Sequence, residues 1–72
     1  MTNSKKILNY IIKEKAQGNS FLELNIQMRI MMKGINVKGI LEERISEEIE
    51  KGLTEKLFEI ANEFEVDLQQ MK

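Results

Sequence analysis

Apolar residues recur at helical spacing in the first quarter of the chain. Between Ser4 and Gln17 the apolar positions form one stripe, with lysines and other polar residues between them: Ile7, Leu8, Ile11, Ile12 and Ala16. Positions three and four apart share a face of an α-helix. Asn3 or Ser4 is a suitable N-cap, and Gly18 is suited to end the helix. The pattern predicts an N-terminal helix over about residues 4–17.

Residues 22–30 follow a different pattern, because apolar and polar residues alternate there without exception. On a β-strand, alternate side chains point to opposite faces. One face would then hold only apolar side chains: Leu22, Leu24, Ile26, Met28 and Ile30. The other face would hold Glu23, Asn25, Gln27 and Arg29. This alternation predicts a β-strand.

A helix is the alternative for the same segment. Residues 20–23 (Ser-Phe-Leu-Glu) have the form of a capping box, and Leu, Met, Gln and Arg are good helix formers. The helix would carry one heptad-like stripe: Phe21, Leu24, Met28, Met31 and Ile35. It would also place Leu22, Ile26 and Ile30 on its other side. A helix with two apolar faces is unusual, so the strand is the favoured interpretation and an all-α bundle the alternative.

Two further helices are predicted in the second half of the chain. Asn36 is a suitable N-cap for a helix that starts near Val37 and is clearest from about residue 40 to residue 51, with Leu41, Ile45 and Ile49 on one stripe. Gly52 is predicted to end it, and Thr54 to cap the last helix. The last helix has its own apolar face: Leu57, Ile60, Ala61 and Phe64. A hairpin turn at residues 33–34 with a short second strand at 35–38 is the open alternative.

A lone strand leaves backbone N–H and C=O groups without partners along both edges. Pairing with the same strand of a second copy would satisfy them and would enlarge the small core of a 72-residue chain. The expected fold is therefore α+β: one domain over residues 1–72 with an N-terminal helix, one strand that pairs across a homodimer, and two helices. The expected dimer interface consists of Leu24, Ile26, Met28 and Ile30.

Composition removes several classes of chemistry. The chain has no Cys and no His, so disulfides, thiolate nucleophiles, the common zinc ligands and histidine-activated serines are excluded. We expect no enzymatic activity, no cofactor and no metal site, and we interpret the glutamate runs at 42–43 and 47–50 as solvated helix faces. No stretch has the ~20 apolar residues of a membrane span and the N-terminus does not resemble a signal peptide, so the expected location is cytoplasmic.

Charge is distributed unevenly along the chain. Residues 1–39 carry seven basic and two acidic side chains, whereas residues 40–72 carry four basic and ten acidic ones. The basic half indicates a surface for an acidic partner, and the open alternative is that helices accommodate Glu well and the split has no functional meaning.

The order strand, helix, glycine turn, helix resembles the ribbon-helix-helix family of DNA-binding proteins. The resemblance covers about residues 22–66, and it implies that a two-stranded ribbon enters the major groove. Asn25, Gln27 and Arg29 would then contact base edges, and Lys33 would contact the phosphate backbone. The stretch from Arg29 to Gly52 is longer than in that family, and Glu55 lies where the family binds a phosphate.

Two functions follow as expectations. The first is a small homodimeric transcriptional regulator that binds double-stranded DNA through its ribbon. The second is a non-enzymatic protein-interaction, adaptor or inhibitor module whose apolar helical faces bind a protein partner.

Overall fold

A computed structural model describes residues 3–71, and every regular element in this range is helical. The elements are α1 (Asn3–Ala16), α2 (Ser20–Met31), α3 (Val37–Leu41), α4 (Glu47–Glu63) and a 3-10 turn (Leu68–Gln70). No β-strand occurs among these residues. The α+β prediction is therefore wrong, and the all-α alternative is correct.

Helix α1 matches the predicted range within one residue at each end, but Asn3 and Ser4 lie inside the helix, so the prediction that one of them caps it is wrong. The five residues of its predicted apolar stripe are all buried. After Ala16 the chain leaves the helix through Gln17 and Gly18, which have positive φ values of 49° and 84°. Both residues therefore adopt the left-handed conformation that commonly follows a helix C-terminus, which glycine adopts readily at position 18.

Helix α2 occupies the segment that was predicted to be a strand. Its N-cap is Asn19, whose side-chain oxygen accepts hydrogen bonds from the backbone N–H groups of Phe21 and Leu22, at 2.9 and 3.1 Å. A helix satisfies its interior backbone groups within the segment, whereas a lone strand needs a second one. Local capping and good helix formers therefore outweigh the alternation, and no ribbon exists here to bind DNA.

The connection from α2 to α3 is a turn rather than a hairpin. Gly34 has a φ of +89°, a conformation that glycine adopts readily. Asn36 then caps α3, as predicted, by accepting a hydrogen bond of 3.0 Å from the N–H of Gly39. The second strand considered for residues 35–38 is thus also wrong, because Val37 and Lys38 already belong to α3.

The last two helices divide the chain differently from the prediction. The expected helix over residues 40–51 is interrupted at residues 42–46, where Glu43 has a φ of +57°. Ser46 then caps α4 by accepting from the N–H of Ile49 at 3.4 Å. Helix α4 continues through Gly52 without a break, so the predictions that Gly52 ends one helix and that Thr54 caps the next are wrong.

The core lies around α1, which packs against α2, α3 and α4. It consists of apolar side chains from all four helices and the turns: Ile7, Leu8, Ile11, Ile12, Ala16, Ile26, Ile30, Ile35, Val37, Ile40, Leu53, Leu57, Ile60, Ala61 and Phe64. Helix α2 contributes only Ile26 and Ile30 to this set. Most of the other side chains of α2 are exposed.

A polar contact fixes the start of α1 to α4. The backbone N–H and the hydroxyl of Ser4 each donate a hydrogen bond of 2.6 Å to a different carboxylate oxygen of Glu50. Ser4 is fully buried, while Glu50 is half-buried. The carboxylate thus satisfies one of the free N–H groups of a helix N-terminus, a position that favours negative charge.

Candidate interaction surface

The most distinctive surface of the described chain is the outward face of α2. Five large apolar side chains there are more than half exposed, from 53% for Met31 to 86% for Met32, which directly follows the helix. We call this set the α2 face: Phe21, Leu24, Met28, Met31 and Met32. Only two other large apolar side chains, Ile49 and Phe58, are more than half exposed among residues 3–71, and both lie on α4.

The α2 face points directly away from the core. Successive residues of an α-helix are rotated by about 100°, so Phe21 and Met28 lie on the side opposite to the buried Ile26 and Ile30. No charged residue lies within the α2 face. A surface helix normally carries its polar and charged side chains on this side. Helix α2 therefore has one apolar face for its own core and a second that its own chain leaves uncovered.

The expected dimer interface is divided between these two faces. Leu24 and Met28 are exposed on the α2 face, while Ile26 and Ile30 are buried inside the chain's own core. The strand prediction placed all four on one side because it assumed a period of two residues. With the helical period, the same four residues fall on opposite sides. Ile26 and Ile30 are therefore core residues and not surface residues.

The expected base-reading residues do not share a face either. Asn25 and Arg29 are four residues apart, on one side of α2 and exposed. Gln27 is half-buried and lies on roughly the opposite side of the helix. The helix thus brings together two of the three side chains, and the shared polar surface predicted from the alternation is absent.

The two basic residues expected to contact DNA, Arg29 and Lys33, contact the last residue of α4 and the residue after it. The Arg29 guanidinium lies over the Phe64 ring, 4.8 Å from its centroid, and the Lys33 ammonium lies 5.9 Å from the same centroid. Lys33 also forms an ion pair with Glu63. These cation–π and ionic contacts join the C-terminal ends of α2 and α4. Arg29 and Lys33 thus have partners within the chain.

The acidic residues form no chelating group. Within residues 3–71, no three Asp or Glu side chains lie together in a way that could hold a metal ion. Glu42, Glu43, Glu47 and Glu48 are exposed. Glu50 accepts hydrogen bonds from Ser4.

Residues 3–71 contain no helix with the length and apolar character needed to cross a bilayer.

A concave region lies between α1 and the 3-10 turn (Leu68–Gln70), on a part of the surface away from α2. It is an open cavity of about 520 Å³ bordered by Tyr10, Glu14, Glu65 and Asp67. Desolvation of the Tyr10 ring, the charge and hydrogen bond of Glu14 and the charge of Asp67 raise the pKa of Tyr10 above its ordinary value of 10.0. The border is mainly acidic and also includes Lys15.

The sequence contained a signal for the α2 face. The heptad-like stripe of the helical alternative includes Phe21, Leu24, Met28 and Met31, and all four are exposed. Strict alternation over nine residues, once wound into a helix, must produce two opposite apolar faces. One of them covers the core, and the other is exposed.

Comparisons of the chain with protein-family models, with curated proteins and with solved structures gave no significant match.

Proposed function

We propose that this protein is a non-catalytic protein-interaction module and that the α2 face is its contact surface. The observation that carries the proposal is the set of five exposed apolar side chains on the side of α2 opposite the core, with no charged residue among them. Soluble monomers rarely expose contiguous apolar patches of more than a few hundred Å². Covering such a face with another polypeptide removes it from water and stabilises the complex.

The composition of the α2 face suits a helical partner. Its residues 21, 24, 28 and 31 follow the alternating three- and four-residue spacing by which one helix packs on another. Two of these four residues are methionines, and Met32 adjoins them. Methionine side chains are unbranched and polarisable, so they adapt to the shape of an apolar partner.

The alternative of DNA binding through a ribbon has lost its geometric basis. It required Asn25, Gln27 and Arg29 on one face of a strand, and the segment is a helix. Arg29 and Lys33 interact with Phe64 and Glu63 of the same chain. Binding to duplex DNA would instead require a surface unrelated to that motif.

The proposal is tested by nuclear magnetic resonance on protein labelled at its methionine methyl groups. Met28, Met31 and Met32 lie on the α2 face, while the half-buried Met71 packs against the core and serves as an internal reference. The probe is a synthetic amphipathic helical peptide with leucine at its heptad positions and uncharged flanking residues. We expect the three surface methyl signals to shift on titration and the Met71 signal to stay in place.

Met28→Glu is the variant that supports or opposes this assignment. Met28 is exposed, so the substitution should leave the helical circular dichroism unchanged while the peptide-induced shifts disappear. The proposal fails if the surface methyl signals of the folded wild type respond neither to the peptide nor to increasing protein concentration. Shifts caused by duplex DNA at low salt, without a response to the peptide, would favour the nucleic-acid alternative.

A further inference from the structure

We infer that the α2 face binds the α2 face of a second copy, so that two antiparallel α2 helices pack about a twofold axis at the level of residue 26, on the side of α2 opposite to the buried Ile26 side chain. This inference rests on the proposed function and names its partner. It differs from the strand-paired dimer expected from the alternation, because side chains rather than backbone groups make the contact.

The spacing of the α2 face matches a short coiled-coil seam. Phe21, Leu24, Met28 and Met31 occupy successive positions of a heptad repeat, where side chains of one helix pack between those of another. The seam spans nearly the whole of α2, which has 12 residues. A second copy of α2 is therefore long enough to cover the whole seam.

The seam is complementary to itself when reversed. Residues 21 and 31 are equally distant from residue 26, and so are residues 24 and 28. An antiparallel second copy centred on Ile26 therefore places Phe21 opposite Met31 and Leu24 opposite Met28. Each large side chain meets a flexible thioether, and methionine sulfur makes favourable contacts with aromatic rings. A twofold axis repeats each of these contacts, as an isologous interface requires.

The charge pattern favours a second copy. The positions that flank the seam hold Ser20, Asn25, Gln27 and Met32, none of which is charged. Flanking charges are the usual means by which coiled coils select a different partner or reject their own kind. Without such charges, two identical faces approach with no like-charge repulsion.

The area also suffices for a dimer. Covering the five apolar side chains on both copies removes on the order of 1,000 Å² from water, which is about the lower limit of a specific interface. A 72-residue chain buries a small core by itself, so this area is a substantial addition. The resulting interface is small, and we expect a dimer that dissociates on dilution.

The first test is sedimentation equilibrium over a range of protein concentrations. We expect wild-type protein to approach twice the 8.4 kDa mass of one chain as its concentration rises. Met28→Glu brings carboxylates into the apolar seam and should weaken self-association at least ~10-fold. The matched control is Ile49→Glu, which changes an exposed apolar residue of α4 in the same way and should leave the dimer intact.

The second test identifies the direction of packing by cysteine cross-linking. The chain has no native cysteine, so each introduced thiol is the only one present. In the antiparallel dimer, a mixture of Phe21→Cys and Met31→Cys chains should form a mixed disulfide. Phe21→Cys alone should not form one, because its two copies would lie about 15 Å apart along the axis, well beyond disulfide geometry.

Three results overturn the inference. They are a wild type that stays monomeric at high concentration, a dimer unaffected by Met28→Glu, and efficient cross-linking of Phe21→Cys to itself. The first result leaves the proposed function standing if the leucine peptide still shifts the methyl signals of the α2 face. Failure of both the peptide and the self-association experiments removes the proposed function as well.

Discussion

Single residues set the boundaries of the helices: Asn19 and Asn36 cap α2 and α3, and Gly18 lies in the left-handed turn after α1. Asn36 and Gly18 act as predicted, because capping and a left-handed turn depend only on neighbouring residues. Asn19 was not considered as a cap, although it begins the helix in the segment predicted to be a strand. Asn is among the residues most favoured at an N-cap, so Asn19 was a local sequence signal for the helix that the structure contains.

The contact between Ser4 and Glu50 gives the first prediction. Glu50→Ala removes the acceptor of two hydrogen bonds from a buried residue, and we expect a loss of about 1–3 kcal/mol in the free energy of unfolding. Urea unfolding followed by circular dichroism measures it. The control is Glu48→Ala, an exposed acid of the same helical turn, which should change the free energy by less than about 0.5 kcal/mol. Equal losses in the two variants would show that the contact contributes little.

Tyr10 gives a prediction about pH. It is the only tyrosine and the chain has no tryptophan, so ultraviolet absorbance reports its ionisation directly. Its pKa is raised, so the native titration should have a midpoint above 10, while the protein in urea should titrate near 10. The neutral phenol is favoured in the native state, so its contribution to stability is present below pH 10 and is lost as the pH rises through the native pKa.

Glu14→Gln tests the electrostatic part of this shift. The substitution removes a negative charge beside the phenol, so the native midpoint should move down towards 10. Lys13→Gln, a change at the neighbouring exposed position, should not lower it. A native midpoint at or below 10 in the wild type would contradict the proposed environment of Tyr10.

At the scale of elements, the sequence predicted where most helical residues lie but not where the helices are divided. Glycine was taken as a boundary at Gly52, yet an exposed glycine inside a helix is tolerated at a modest cost. The actual break at residues 42–46 contains no glycine. It is formed by Glu43 in the left-handed conformation and by the Ser46 cap. Packing of α3 and α4 against α1 stabilises this division, and helix propensity alone does not predict it.

A glycine substitution tests the continuity of α4. Gly52 has a helical backbone, and no atom lies within 4 Å of the position that a Cβ would take. Gly52→Ala should therefore raise the free energy of unfolding by about 0.5–1 kcal/mol. Gly34→Ala should lower it, because Gly34 has a φ of +89°. Thermal unfolding of the two variants distinguishes them, and a loss of stability in Gly52→Ala would indicate that the helix ends there after all.

At the scale of the whole molecule, the homodimer expected from the sequence was based on a strand that the structure does not contain. A strand at residues 22–30 required pairing through its backbone, whereas the helix satisfies its backbone and leaves side chains uncovered. The periodicity alone did not distinguish these cases, because five alternating apolar residues fit one face of a strand or two faces of a helix. Only the packing against α1 shows which apolar residues the chain covers by itself.

The methionines of the α2 face have a consequence for the redox chemistry of the protein. Hydrogen peroxide converts a thioether into a sulfoxide and is itself reduced to water, which makes the side chain polar. Met28, Met31 and Met32 are exposed in the single chain, whereas Met71 is half-buried. We expect peptide mapping by mass spectrometry to find these three oxidised before Met71 in dilute protein. Concentrated protein should be protected, if copies cover each other's α2 faces.

Oxidation should in turn prevent association, because sulfoxides in an apolar seam lose their hydration without gaining partners. Sedimentation of the oxidised chain should therefore show a monomer with an unchanged helical spectrum, and reduction by methionine sulfoxide reductases should restore self-association. Ile49→Glu protein should respond in the same way as the wild type. Equal oxidation rates for the four methionines at every concentration would contradict this behaviour. In the proposed dimer, the surface that joins the two copies also makes their association sensitive to peroxide.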